Sequence, residues 1–243
     1  MKPVEDPIDK DKLFNFPFLM LCISSVLFMM SFSMIMPELP GIVENMGGSE
    51  YFGYIFGLFT ISAGLSRFWS GRFADIIGRR KIIIFGTLVT AICGALYIFT
   101  TTLASFFILR FIHGLSTGWR PTGSTAYVID VIPAHRMGEG MGFLGMAGAT
   151  GMAMGPVIGS ILQEDVSYEA MFIISSVVGL ISLLLSLTLP ESLKETRKLT
   201  KADFNIFKGK TLDFSTLAPS IVTLLDTFSF GVIITLSPKL MSL

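Results

Sequence analysis

Seven times in 243 residues the chain runs for about 20 positions with few charges, the length an α-helix needs to cross the hydrocarbon of a bilayer. The runs lie near residues 14–36, 51–70, 82–101, 105–129, 138–162, 171–189 and 217–236. Open strands cannot satisfy their backbone in lipid, so each run reads as a helix and the chain as an all-α membrane protein. Only 15% of the residues are charged, well under the roughly 25% of a soluble domain. Cys22 and Cys93 fall inside apolar runs, where a disulfide framework has no use and a small buried residue does. With two histidines, and no metal-ligand spacing, phosphate loop or nucleophile triad, an enzyme, a metal and a cofactor are not expected. Nothing basic or repetitive suggests nucleic acid; the expected surroundings are a lipid bilayer and a small-molecule substrate.

Lys and Arg orient such a chain, because cytoplasmic links carry the excess. The links after the first, third and fifth runs have none. The tail holds Lys2, Lys10 and Lys12; the second link holds Arg72, Arg79, Arg80 and Lys81; the fourth holds Arg136. The sixth carries Lys194, Arg197, Lys198, Lys201, Lys208 and Lys210. The amino terminus and the even-numbered links are therefore expected in the cytoplasm. The chain divides into a cytoplasmic tail (1–13), a six-helix bundle (14–189), a polar linker (190–214) and a seventh helix (215–243).

Four segments carry chemistry. Residues 71–81, read as a charged link, place Asp75 at the carboxyl end of the second helix, where the helix dipole disfavours an anion. Gly78 and the cations Arg79, Arg80 and Lys81 follow; the cations alone would serve as interfacial anchors, but anchoring needs neither Asp75 nor Gly78. In the fourth run, at about 100° per residue, Arg110, His113, Thr117, Arg120 and Ser124 fall within an arc of roughly 80°. A stripe with two arginines cannot face lipid. Arg120, beside Pro121, either meets a carboxylate or the carbonyls that Pro121 frees, or contacts substrate or a coupling ion. His113 is either a hydrogen-bonded structural residue or a proton carrier. In the fifth run Gly142, Gly151, Gly155 and Gly159 leave bare helix faces for close crossing, and Pro156 kinks the helix. Asp226 is the one acid set deep in a run, suited to proton coupling or to a polar contact with further helices.

These segments resemble the motifs of one family. Gly71, Ala74, Asp75, Gly78, Arg79 and Arg80 resemble the signature loop of the major facilitator superfamily, Gly-x-Leu-Ala-Asp-x-x-Gly-Arg-Arg/Lys, with Phe73 replacing its leucine. Arg110 and Gly114 resemble the helix-four motif Arg-x-x-Gln-Gly, with His113 where glutamine is usual. The helix-five glycines with Pro156 resemble the antiporter motif, departing at Ser160; Pro37 and Pro40 resemble the close of helix one in twelve-helix drug exporters. Leu189, Pro190, Glu191 and Ser192 resemble the exit from helix six. The resemblance implies an amino-terminal six-helix bundle followed by the first helix of a second bundle, whose remaining carboxy-terminal helices would be its partners. It implies that Asp75, Arg79 and Asp130 form a charge cluster latching one conformation, with Gly71, Gly78, Arg80 and Arg136 around it. Arg110, His113, Arg120 and Asp226 are the candidates for substrate or proton coupling. The function implied is export of a small molecule by proton antiport through alternating access, in a bacterial inner membrane. The alternative is a symporter or facilitator importing an organic anion or sugar, with Arg120 holding the anion.

Overall fold

A computed structural model describes residues 12–204 together with Ile221. Asp226 and, apart from Ile221, the seventh run lie outside the described residues. Among the described residues the secondary structure is helical: α1 (Phe16–Met34), α2 (Leu39–Asn45), α3 (Phe52–Ile77), α4 (Arg79–Leu96), α5 (Leu103–Val131), α6 (Met137–Asp165) and α7 (Tyr168–Leu187). Local chemistry sets several of the starts. Asn15 caps α1, its Oδ1 accepting from the Phe18 amide at 2.9 Å, and Pro17 occupies the first turn. Thr102 and Ser105 form a capping box on α5, and Ser167 accepts from the Ala170 amide at 3.2 Å to open α7.

Two helix boundaries differ from the sequence reading. The close of the first run is followed by a separate short helix, α2, with Pro40 in its first turn. More consequentially, residues 71–81 are not a loop. α3 continues helically to Ile77, α4 starts at Arg79, and Gly78 alone separates them. Its φ of 113° lies where a side chain is strained, so glycine makes the break possible. The charges extend α3 because nothing before Gly78 breaks a helix, and Asp75 and Arg79 pair across that break.

Among the described residues four stretches are long and apolar enough to cross a membrane: Phe16–Asn45, Arg79–Phe99, Ala134–Asp165 and Tyr168–Leu187. α3 and α5 fall short because serines, threonines, glycines and arginines dilute their apolar residues. Those of α5 point into the bundle: Arg110, His113, Arg120 and Ser124 are all buried. The helices pack in the spatial order α3, α5, α4, α7, α1, α6, so α3 and α6 are the outer members, each resting mainly on one neighbour.

Lipid is as apolar as leucine, so burial of greasy surface cannot hold such helices together; close backbone approach and hydrogen bonds do. One apolar cluster (including Met34, Leu39, Ile55, Tyr97 and Phe106) lies toward α2, and another (including Phe18, Leu21, Ile83, Tyr127 and Val131) toward the charged end. Between them runs a serine-rich waist. Ser31 and Ser175 donate to each other's carbonyls at 2.7 and 2.8 Å, tying α1 to α7, and Ser182 donates to the Ser24 carbonyl at 2.7 Å. Two glycine crossings complete the frame. Gly114 and Gly118 of α5 lie so close to α3 that an added Cβ would strike the Phe59 and Ala63 carbonyls. Gly151, Gly155 and Gly159 of α6 do the same against the Val26, Met30 and Met34 carbonyls of α1.

Candidate functional site

At the charged end, Arg79 is the hub. Its guanidinium pairs with the Asp75 carboxylate and, through Nε, with Asp130 Oδ2 at 3.2 Å. Thus α3, α4 and α5 each supply one member of the cluster. Asp75 is 69% exposed at its side chain whereas Asp130 is 23% exposed, so the second pair is the better shielded. Arg80 donates instead to the Leu187 carbonyl at 2.7 Å, holding the end of α7. Gly71 sits loosely over Thr122. Arg136 does not join: it pairs with Glu139 at 2.6 Å, one turn along in α6. Its nearness in sequence to Asp130 misleads, because the turn at Ala134–Arg136 carries it into the start of α6.

The sequence reading missed two contributors that come from beyond α7. Glu191 Oε1 accepts from the Arg79 amide at 2.8 Å, capping α4, and its carboxylate fills the space a side chain at Gly78 would take. Ser192 donates to Asp130 Oδ2 at 2.7 Å, the same oxygen that Arg79 holds. A glutamate directly after the Pro190 that ends the sixth run was the available signal. Further along, the linker folds back on α3: the Arg197 amide donates to the Ile76 carbonyl at 2.9 Å. Arg197 grips Asp203 through two bonds of 2.7 Å, Thr200 donates to it through amide and hydroxyl, and Arg72 approaches to 3.8 Å. The Arg197 hydrogen bonds, then those from Thr200, hold the Asp203 carboxyl well below the usual carboxylate range.

The second constellation lies within the bundle. Arg120 donates to the hydroxyls of Thr87 (2.9 Å), Ser25 (3.2 Å) and Ser24 (2.9 Å), and lies 4.5 Å over the Phe28 ring. Each of those hydroxyls donates backward to a carbonyl of its own helix, leaving its lone pairs for the guanidinium. Arg120 is buried, and among the described residues it meets neither a carboxylate nor a carbonyl freed by Pro121. The packing explains this: Gly86 lets α4 come against the Arg120 backbone, delivering Thr87 on one side while α1 delivers its serine pair on the other. Ten residues earlier, Arg110 donates to the Ile55 carbonyl and the Tyr97 hydroxyl, each at 3.3 Å, and lies 4.7 Å over Phe59. Tyr97 also meets His113 Nδ1 at 3.3 Å, and the rings of Phe32 and Phe59 stand edge-on to that imidazole. One guanidinium nitrogen of Arg110 and His113 Nε2 have no partner among the described residues. Thr117 is half-buried. In α6, Gly151, Gly155 and Gly159 pack on α1 beside Pro156, whereas Gly142 faces open space.

Helices of spanning length around a polar waist, with a carboxylate–arginine cluster at one end, define a helical integral membrane protein. The profile of the Major Facilitator Superfamily matches residues 21–242, and the chain belongs to that superfamily. Among its relatives, the multidrug resistance protein MdtG of Rahnella sp. (strain Y9602) is 34% identical over 155 residues, covering 61% of this chain and 37% of that protein. An uncharacterized MFS-type transporter of Methanocaldococcus jannaschii is 24% identical, over 72% of this chain and 46% of that one. Solved structures share the fold. The human organic anion transporter MFSD10 aligns with a TM-score of 0.64 at 23% identity, over 72% of this chain and 47% of that chain. A peptide transporter aligns with a TM-score of 0.67 at 15% identity, over 96% and 49%. The chain therefore spans less than half the length of these relatives.

Proposed function

We propose that this chain forms one bundle of a secondary transporter that exports a small molecule against proton entry, by rocking two bundles about a midplane site. The observation that carries the reading is Arg79, shared between Asp75 of α3 and Asp130 of α5 beside a linker that caps the same joint. Partly exposed ion pairs are weak, so such a cluster can form and break within a transport cycle. In this reading the charged end faces the cytoplasm, a placement that the Lys and Arg distribution supports. The relatives named as multidrug resistance proteins and the close α1–α6 crossing support export of a drug-like compound rather than uptake. Arg120, with each guanidinium nitrogen hydrogen-bonded, is a structural joint rather than a substrate ligand in this conformation. His113, whose Nε2 is unengaged among the described residues, and Asp226 remain as the candidate proton carriers.

Proton-dependent efflux from reconstituted liposomes tests this. Asp75→Asn is expected to reduce transport at least about tenfold with expression unchanged, since the pair it removes is exposed and adds little stability. Normal transport in that variant removes the latch from the mechanism, and solute uptake down a proton gradient removes the exporter.

A further inference from the structure

α3 presents three faces. At about 100° per residue, Phe59, Ser62, Ser66 and Ser70 form the face buried against α5. Tyr54, Ile61, Leu65 and Phe68, each about half exposed, form an apolar face of the kind lipid covers. The third face carries Gly53, Gly57, Thr60, Gly64 and Gly71, with Arg67 among them. A Cβ added at Gly53, Gly57 or Gly64 would meet nothing within 4 Å, so this face is a bare trough with one long cation standing in it.

Arg67 is at membrane depth. Its neighbour Ser66 is the residue that Gly118 touches, and Ser70 donates to the Gly118 carbonyl at 2.9 Å. Gly118 lies in the middle turn of α5, two residues from Arg120. The Arg67 side chain is exposed and, among the described residues, makes no hydrogen bond or ion pair. An arginine at that level faces a watery cavity or a partner charge rather than lipid. Its place, turned away from Ile61, Leu65 and Phe68, agrees with that.

The surrounding field, among the described residues, has one sign. Among the described residues, the acids of the long helices sit at helix ends: Asp75, Asp130, Glu139, Glu164, Asp165 and Glu169. Between those ends stand Arg67, Arg110 and Arg120 with no carboxylate. Each guanidinium nitrogen of Arg120 has a partner and Arg110 is enclosed, so among these three Arg67 is the one placed to meet a solute. A cationic compound entering here would be repelled, and a carboxylate or sulfonate would be drawn in.

We propose that the transported compound is an organic anion and that Arg67 on α3 binds its anionic group. This deepens the transporter reading and rests on it. It also suits export, because an inside-negative membrane potential itself drives an anion outward.

Two dyes sharing one ring system test it: fluorescein, an anion, and rhodamine 6G, a cation. Fluorescence anisotropy with the full chain in detergent should show tighter binding of fluorescein than of rhodamine 6G. Arg67→Gln should weaken fluorescein binding by roughly tenfold, the loss of one charge-assisted contact, and Arg67→Lys should keep most of it. The exposed position makes both variants compatible with folding. Equal fluorescein affinity in wild type and Arg67→Gln overturns the proposal. So does a lowered unfolding temperature of Arg67→Gln with fluorescein binding intact, which would assign Arg67 to a carboxylate on another helix. In liposomes, movement of rhodamine 6G but not fluorescein overturns the anion while leaving the transporter standing. Arg67-dependent fluorescein binding with no flux of either dye supports the site and overturns the transporter reading.

Discussion

Arg79 and Arg120 are held by comparable numbers of polar groups, but the groups differ in kind. At the charged end Arg79 meets two carboxylates, one of them largely exposed. In the middle of the bundle Arg120 meets three neutral hydroxyls and an aromatic face, all buried. Near water, breaking an ion pair exchanges it for hydration, so the net strength is small and the contact is reversible. In the interior no water waits to replace a lost partner, so the same cation becomes a permanent joint among α1, α4 and α5. The lesson is that the chemistry of a charge's partners follows the solvent behind them, and with it whether the contact can switch.

The largest effect should come from Arg120. Replacing it with Met strips three helices of a shared donor and is expected to lower stability by about 3 kcal/mol, read from unfolding in detergent. Lys, with one compact head, should recover less than half of that. An unchanged midpoint for Arg120→Met would mean that this arginine is no joint. Next comes Gly118→Val, whose side chain would collide with Ser66 Oγ and the Ala63 carbonyl and force α3 from α5, at about 2 kcal/mol. Arg79→Gln should change stability by under about 1 kcal/mol while transport falls far more. Salt sharpens the contrast: in double-mutant cycles, about 1 M salt should shrink the Arg79–Asp130 coupling and leave Arg120–Thr87 unaltered. Equal salt dependence at both places would erase the distinction. The smallest effect concerns Asp203. Its carboxyl is depressed in the folded chain, so its contribution is present above the ordinary carboxylate range and lost only as pH falls through the lowered value. Hydrogen exchange at the Thr200 amide should therefore be as protected at pH 4 as at pH 7, once corrected for intrinsic rates, and faster in Asp203→Asn at both.

Six of the seven runs coincide with helices among the described residues. Four do so because length and apolarity are read directly, and α3 and α5 in spite of their diluted apolarity. The polar stripe of α5 is legible because helical periodicity is rigid. What escaped depends on partners from elsewhere in the chain. Ser24, Ser25 and Thr87 look like filler until Gly86 and the serine-rich face of α1 bring them round Arg120. Glu191 stands out as an acid directly after Pro190, but the sequence does not say that its partner is a helix starting 112 residues earlier. Arg136 was assigned by proximity to Asp130, and a single turn redirects it to Glu139. Residues 71–81 read as a loop because charge suggests water, yet a helix projecting past the hydrocarbon keeps its hydrogen bonds in either medium.

Gly78 joins two helices with one residue, and Glu191 from the linker is seated in the gap. That seat makes the linker a lever arm. A pull on it is delivered first at the pivot, where the lever has purchase on the amino end of α4 and on Arg79, before it reaches the apolar length of either helix. The same bond works in reverse: a tilt of α3 against α4 would dislodge Glu191 and slacken the tether, so the joint can report its angle to whatever the linker leads to.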